Sequence, residues 1–302
     1  MRKPKKPARV VVFAYHSVGV RCLEVLHRQG LDIALIVTHE DDPHENRWFD
    51  SVSDWGRNQG IPVITPTDPN TTEVMSKIRH LNVDFFFSFY YRQMLGADLL
   101  ALPKRGAYNL HGSLLPHYRG RVPINWAVIR GETETGATLH AMTLKPDQGD
   151  IIAQERVSIG PDDTAHEVFL RVIDAGEKAL AGVLPALLKG TAPHRPQNLA
   201  QGNYCGGRRP EDGRIPWHCS AQEIHNLVRG VAPPYPGAFT EVHGQSLRIL
   251  RTSLHPHPQA VAQTIGGDGQ PLYLLAVEWQ GQFLDSTTFK THFPQGCRPD
   301  SV

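Results

Sequence analysis

Four short, nearly uninterrupted apolar runs, spaced by stretches of helical periodicity, constrain this chain more than any other feature. They are Arg9 to Ala14, Leu31 to Val37, Ile61 to Ile64 and Val83 to Phe89. A strand with one wet face alternates polar and apolar residues, whereas a strand covered on both faces reads as a solid apolar block. Between the runs, Ser17 is placed to cap a helix that carries Val20, Leu23 and Leu26 and ends at Gly30. Further helices are expected from Arg47 to Asn58 and over 71–80. Strand and helix alternating in this order predict a doubly wound, mostly parallel α/β sheet.

The second half of the chain has a different texture. Thr164-x-x-Glu167 is a capping box for a long helix reaching about Leu188, and Ser220-x-x-Glu223 caps a shorter one. The stretch from Gly190 to Gly202, rich in Pro, Asn, Gln and Ala, reads as a linker. Short strand-like segments follow around 238–252, 260–265 and 272–285, broken by Gly and Pro. The 302 residues thus divide into a catalytic-size domain over 1–190, a linker over 191–204 and a small β-rich domain, of barrel type, over 205–302.

Several functions are disfavoured. The first strand-to-helix turn, Ala14-Tyr15-His16-Ser17-Val18-Gly19, lacks Gly-x-Gly-x-x-Gly, and no Walker phosphate loop occurs, so neither a dinucleotide nor an NTP cofactor is supported. Cys22, Cys205, Cys219 and Cys297 are scattered without a Cys-x-x-Cys pair. That pattern gives no zinc framework and suits a reducing, cytoplasmic location. The His255-Pro-His257-Pro run reads as an exposed loop rather than a metal site, and no metal is expected. The basic start, Met1 to Ala8, leads into an apolar run far too short for a signal-peptide core or a membrane span. A formal net charge of +1 gives the whole molecule no electrostatic pull toward nucleic acid.

The stretch that carries chemistry is Asn109-Leu-His111-Gly112-Ser113, where a strand ends and a turn leaves it. Ligands of parallel sheets gather at the carboxyl ends of strands. Residues two apart on an extended backbone project to one side, so Asn109 and His111 face one crevice. Asp147, arriving from a later loop, is the natural group to orient that imidazole and favour its charged form. An amide donor, an imidazole base and a carboxylate answer the needs of acyl transfer to an amine. The donor meets the oxyanion, and the imidazole moves the protons. The residues alone support a crevice with a candidate base; they do not name the group transferred.

The surrounding words do. Asn109-x-His111, Ser113-Leu-Leu-Pro116, Arg119-Gly120, Pro123-x-x-Trp126, Thr135-Gly136-x-Thr138-x-His140 and Asp147-x-Gly149 occur in this order. The pattern closely resembles the 10-formyltetrahydrofolate-dependent formyltransferase family. That resemblance implies a Rossmann-like formyltransferase domain followed by a small C-terminal barrel of oligonucleotide-binding (OB) type. It implies Asn109 as oxyanion stabiliser, His111 as proton-transferring residue and Asp147 as the group raising the pKa of His111. It places folate contacts at Gln93, Met94, Leu95, Arg121 and the loop Thr143, Leu144, Lys145, Pro146 and Asp147. The co-substrate would be 10-formyltetrahydrofolate, with no metal.

Three segments, Val10 to His16, Ser88 to Arg92 and Asn109 to Arg121, are most similar to the formyltransferase half of the bifunctional polymyxin-resistance enzymes. That branch formylates UDP-4-amino-4-deoxy-L-arabinose on the route to lipid A modification. The likeness extends through Gly207-Arg208-Arg209-Pro210, Trp217-His218 and Pro236-Gly237-Ala238-Phe239, but no decarboxylating dehydrogenase half is present in this sequence. Arg208 and Arg209 are candidates for a diphosphate, and Tyr90 and Tyr91 for stacking on a ring. The alternatives are a methionyl-tRNA formyltransferase and a non-catalytic folate- or nucleotide-binding module. An RNA partner draws its affinity from Lys and Arg on phosphates. Here Glu40-Asp41-Asp42-Pro-His-Glu45-Asn-Arg47 is acidic, and from 205 onward eight Lys and Arg are matched by eight Asp and Glu. A nucleotide-linked amino sugar is the expected acceptor.

Overall fold

A computed structural model describes residues 6–41 and 47–298. Two compact units emerge: one from segments 136–157, 171–204 and the chain up to Gly120, the other from 121–135, 158–170 and the chain from Cys205 onward.

In chain order the elements are β1 (Arg9–Ala14), α1 (His16–Arg28), β2 (Asp32–Val37), α2 (Val52–Asn58), β3 (Val63–Ile64), α3 (Thr72–Leu81), β4 (Phe85–Phe89), α4 (Ala97–Leu100), β5 (Ala107–His111) and β6 (Arg119–Gly120). There follow α5 (Pro123–Ile129), β7 (Glu134–Ala141), β8 (Ile151–Ser158), α6 (Ala165–Lys189) and β9 (Tyr204–Cys205). The rest is α7 (Ala221–Val231), β10 (Ala238–Val242), β11 (Gln245–Ser253), β12 (Ala262–Ile265), β13 (Pro271–Trp279), β14 (Gln282–Phe283) and α8 (Ser286–His292).

The large sheet has the order β3-β2-β1-β4-β5-β7-β8. Its β3-β2-β1-β4-β5 portion is parallel, and β7 joins β5 antiparallel. The apolar runs account for this. Val10 to Ala14 and Phe85 to Phe87 are each at most 1% exposed, as strands covered on both faces require. Phe13 and Phe86 meet edge to face across β1 and β4, with ring centroids 5.3 Å apart. The chain winds from β1 out to β3, then returns to place β4 on the other side of β1. That reversal opens a crevice at the carboxyl ends of β1 and β4, the usual ligand position in such sheets.

Of the helices expected from local signals, two start elsewhere, and α4 and α8 were not among those expected. Ser17 does not cap α1; the cap residue is Tyr15, and Ser17 Oγ instead accepts the Asp50 N–H at 3.0 Å. The helix expected from Arg47 starts at Val52, because Ser51 Oγ accepts the Asp54 N–H and fixes the start there. The acidic segment at 40–47 is described only at its ends. Asp41 pairs with Arg47 at 3.0 Å, while Asp42 to Asn46 lie outside the described residues.

The second unit carries an antiparallel sheet, order β10-β11-β13-β12 with β14 on β13, which is the small C-terminal β domain expected. Register breaks along β11 at Ile249–Thr252 mark irregularities that bend a strand over its own core. α7 begins at Ser220 with the capping box read from the sequence, and Ile224 and Val228 enter a core with Leu247, Ile249, Leu272 and Val277. α5 packs on α7 closely enough that a side chain at Gly230 would meet Ile129 at 2.3 Å. No helix among the described residues is long and apolar enough to cross a membrane.

Candidate active site

Asn109 and His111 stand at the carboxyl end of β5, flanked by β4 and β7. His111 is 7% exposed, and the cavity beside it, lined by Val18, Tyr90, Leu110, Gly112, Ala137 and Val172, is too small to hold a water molecule. Its Nε2 lies 2.8 Å from the Tyr118 carbonyl. A carbonyl only accepts, so Nε2 carries the ring proton and the lone pair of the neutral imidazole is on Nδ1. That atom is 3.5 Å from Asp147 Oδ1, beyond a good hydrogen bond but well within electrostatic reach.

Asp147 is buried with φ +56°, a left-handed conformation that turns its side chain into the site. Its Oδ2 accepts the Gly120 N–H at 2.8 Å. Burial works against the charged form, but His111, His140 and the Gly120 amide overcome it and hold the carboxyl at about 2. For His111 the balance falls the other way. Burial, the largest effect, pushes its pKa below the ordinary value despite opposition from Asp147 and the Tyr118 carbonyl. Asp147 acts to raise the imidazole, in the expected direction, and burial outweighs it. A buried imidazole loses more hydration than one carboxylate at 3.5 Å restores.

The loop that delivers Asp147 is held at its base. The Ala141 amide donates to the Asp150 carbonyl at 2.9 Å, and Gln197 Nε2 donates to the carbonyls of Asp147 and Gly149 at 3.0 and 2.6 Å. Gly149 lies so close to β7 that a Cβ there would sit 1.9 Å from the Ala141 carbonyl oxygen. This is the physical content of Asp147-x-Gly149. Gly149→Ala should cost about 3 kcal/mol, because backbone rather than a side-chain tip must move. A melting temperature within 2 °C of wild type, with normal activity, would show that the loop shifts freely.

The remaining expected residues divide sharply. Leu95, 2% exposed, belongs to the core with Phe86 and Leu99. Gln93 uses its amide internally, accepting from Tyr91 Oη at 3.1 Å and donating to the Thr67 carbonyl. Neither side chain is therefore offered to a ligand, and only Met94 of that trio is exposed, at 51%. The Thr143–Asp147 loop exposes Thr143, Leu144 and Lys145, with Pro146 half-buried. Arg121 lies in the second unit, its side chain passing Gly207. Arg208, in the same unit, stacks on Trp126 at 4.8 Å and donates to the Asp212 carbonyl at 2.6 Å, while Arg209 is exposed. Tyr91 stacks on His39 at 4.4 Å and is a packing residue; Tyr90, with φ +58°, lines the cavity beside His111.

His140 was missed as a site residue, although it closes the Thr135–His140 motif. It lies opposite Asn109 in the β5–β7 register, with Nε2 3.1 Å from Asn109 Nδ2 and 3.4 Å from Asp147 Oδ1. Its place was not legible because a neighbour through an antiparallel pairing is invisible until the strand order is known. Among the described residues no group of three or more His, Cys, Asp or Glu is arranged to hold a metal.

Comparison with known proteins agrees with this architecture. A family model described as formyl transferase matches residues 8–184, and one described as formyl transferase, C-terminal domain, matches 208–281. Similar solved structures include the N-formyltransferase from Helicobacter canadensis in complex with folinic acid and dTDP-3-aminofucose. It shares 19% identity over 88% of this chain and 98% of that one, with a TM-score of 0.71. WlaRD, a sugar 3N-formyl transferase in the presence of dTDP and 5-N-formyl-THF, shares 17% identity over 89% and 98%, with a TM-score of 0.70. HypX from Aquifex aeolicus in complex with tetrahydrofolic acid shares 15% over 96% of this chain but 48% of its own, at 0.63. At such identities these structures establish a common fold; the family models, spanning both halves of the sequence, establish the kinship. This chain belongs to the formyl transferase family.

Proposed function

We propose that this protein transfers the formyl group of 10-formyltetrahydrofolate to the amine of a nucleotide-linked amino sugar, with Asn109, His111 and Asp147 as its chemical centre. The observation that carries the reading is the shared carboxylate: Asp147 Oδ1 lies 3.5 Å from His111 Nδ1 and 3.4 Å from His140 Nε2, beside Asn109. The acceptor ammonium loses a proton and its nitrogen attacks the formyl carbon. The resulting oxyanion is met by the Asn109 amide. The bond from carbon to N10 then breaks, and N10 takes up a proton. The products are the formamide, tetrahydrofolate and one released proton. His111, neutral at rest, receives a proton on Nδ1 from the amine and returns one to N10, and Asp147 stabilises the intervening imidazolium.

The folate reading is supported by chemistry on the loops after β4 and β7. Met94 and Leu144, 51% and 63% exposed, offer apolar side chains to a flat ring. Two structural neighbours bear names that include folinic acid and 5-N-formyl-THF. The acceptor reading is supported by the same neighbours, whose names include dTDP-3-aminofucose and dTDP, and by the neutral charge of the C-terminal stretch. The finer reading is UDP-4-amino-4-deoxy-L-arabinose as acceptor, in the manner of the polymyxin-resistance enzymes. It rests on the sequence words at 10–16, 88–92 and 109–121. The two-domain division, 1–190 and 205–302 about a linker, belongs to the same proposal.

An acceptor screen tests the proposal. The protein is incubated with 10-formyltetrahydrofolate and UDP-4-amino-4-deoxy-L-arabinose, dTDP-amino sugars or methionyl-tRNA, and tetrahydrofolate release is followed. Turnover with a nucleotide amino sugar is expected; turnover only with methionyl-tRNA overturns the acceptor class, and none with any acceptor overturns the enzyme reading. Arg208 and Arg209 are proposed to grip the diphosphate. Replacing both with Ala should raise KM for the nucleotide sugar about 10-fold, the loss of one charge-assisted hydrogen bond, and leave KM for the folate unchanged. Equal increases for both substrates would make the pair structural.

A further inference from the structure

His140 is the one buried imidazole at this centre to which the reaction assigns no task. It is 2% exposed, and both ring nitrogens are engaged. Nδ1 lies 2.9 Å from the Ala141 carbonyl, which can only accept, so the ring proton is on Nδ1. The Asn109 Nδ2 group only donates, so at 3.1 Å its N–H is accepted by the Nε2 lone pair. The position is set by the sheet and not by a loop. Asn109 and His140 are direct cross-strand partners, and Thr138, two residues earlier on the same face of β7, binds the Ser113 carbonyl at 2.6 Å.

A side-chain amide has two nearly isosteric ends. Rotation by half a turn exchanges its oxygen and nitrogen at little steric cost, so its hydrogen-bond partners decide which end faces the reaction. An Asn109 turned the wrong way would point an oxygen lone pair at the developing oxyanion and oppose the transition state. We propose that His140 is a positioning residue for formyl transfer: its Nε2 fixes the Asn109 amide so that the second Nδ2 hydrogen is directed at the oxyanion. The inference rests on the reading of Asn109 as oxyanion donor. It adds that the donor is oriented by an acceptor on the neighbouring strand. Asp147 and His111 are the charged and titratable groups beside this pair, through the shared Oδ1.

Two measurements on the full chain decide it. The first uses protein labelled with ¹⁵N at asparagine, the Asn109 side-chain signals being those lost in Asn109→Ala. His140→Phe keeps a ring without an acceptor, and should shift and broaden these signals; His140→Gln, whose carboxamide oxygen can accept, should restore them. Unchanged Asn109 signals in His140→Phe overturn the proposal without reference to any substrate.

The second measurement is a kinetic cycle with 10-formyltetrahydrofolate and UDP-4-amino-4-deoxy-L-arabinose, alongside the Kd for 5-formyltetrahydrofolate, which binds without transferring. His140→Phe should lower kcat about 100-fold, the low end for losing an oxyanion donor, with the folate Kd changed less than 2-fold. His140→Gln should recover at least 10-fold of that loss. In an Asn109→Ala background the His140→Phe loss should shrink below 3-fold, since a residue acting through another has nothing left to act on. Full additivity, or a folate Kd that rises in step with the fall in kcat, overturns the positioning role. A kcat for Asn109→Ala within a few-fold of wild type would instead remove Asn109 as donor, a separate failure that the single variant reports by itself.

Discussion

Replacement of His111 by Ala is expected to lower kcat by about 10²–10⁴-fold, the span of general acid-base help, with the Kd for 5-formyltetrahydrofolate within a few-fold of wild type. The split follows from where the imidazole sits. Its Nε2 is committed to the Tyr118 carbonyl, and its Nδ1 faces Asp147 inside a closed site, while the exposed apolar side chains proposed for the folate stand on other loops. Burial keeps the resting ring neutral, which is the form a base requires. Alanine removes the proton carrier and leaves the Tyr118 carbonyl without this partner, a stability cost of about 1–3 kcal/mol. Thermal unfolding must therefore be recorded beside the kinetics. A folded variant with transfer within a few-fold of wild type would remove His111 from the mechanism. Loss of folate affinity equal to the loss of kcat would mean that the ring mainly shapes the site.

How much of this centre could be read in advance depended on the range of the interactions. The parallel core was legible because burial on both faces leaves a local trace: Val10 to Ala14 and Phe85 to Phe89 are apolar blocks in any context. Asn109 and His111 were legible as a pair because a strand of period two puts them on one side. Capping residues that bond within their own turn, such as Ser220 and Glu223, were equally visible. What failed was anything decided at long range. Ser17 carries the chemistry of a cap, yet the loop before α2 takes its hydroxyl. Leu95 lies in a segment expected to contact ligand, but core packing claims it. His140 needed the antiparallel placement of β7 beside β5, and no local pattern reports which strands become neighbours. The sign of the His111 shift is the same kind of fact, since it compares the nearby carboxylate with the burial of the whole ring.

Asp147→Asn is expected to lower kcat about 100-fold while the fold survives at pH 7. The amide can keep the Gly120 N–H on its oxygen and place its nitrogen where Oδ1 now lies, facing His111 Nδ1 and His140 Nε2. His111 Nδ1 carries a lone pair, so the amide N–H of the variant satisfies it instead of leaving a buried polar gap. The chemistry suffers for the same reason: the lone pair that should take the proton is occupied, and the charge that stabilises the imidazolium is gone. The shift of the pH profile has a definite sign. Asp147 acts to raise the His111 pKa against burial, so its removal lets burial lower that pKa further, and the acid limb of kcat must move to lower pH. Stability gives an independent check. A carboxyl held at about 2, below its ordinary value of 3.8, contributes stability that is fully present well above 3.8 and is lost as the pH falls toward 2. Asparagine has no such dependence. Between pH 5 and pH 2 the unfolding free energy of wild type should therefore fall relative to the variant by about 2 kcal/mol. A parallel pH dependence in the two proteins, together with an unmoved acid limb, would show that Asp147 is not the carboxylate that tunes this site.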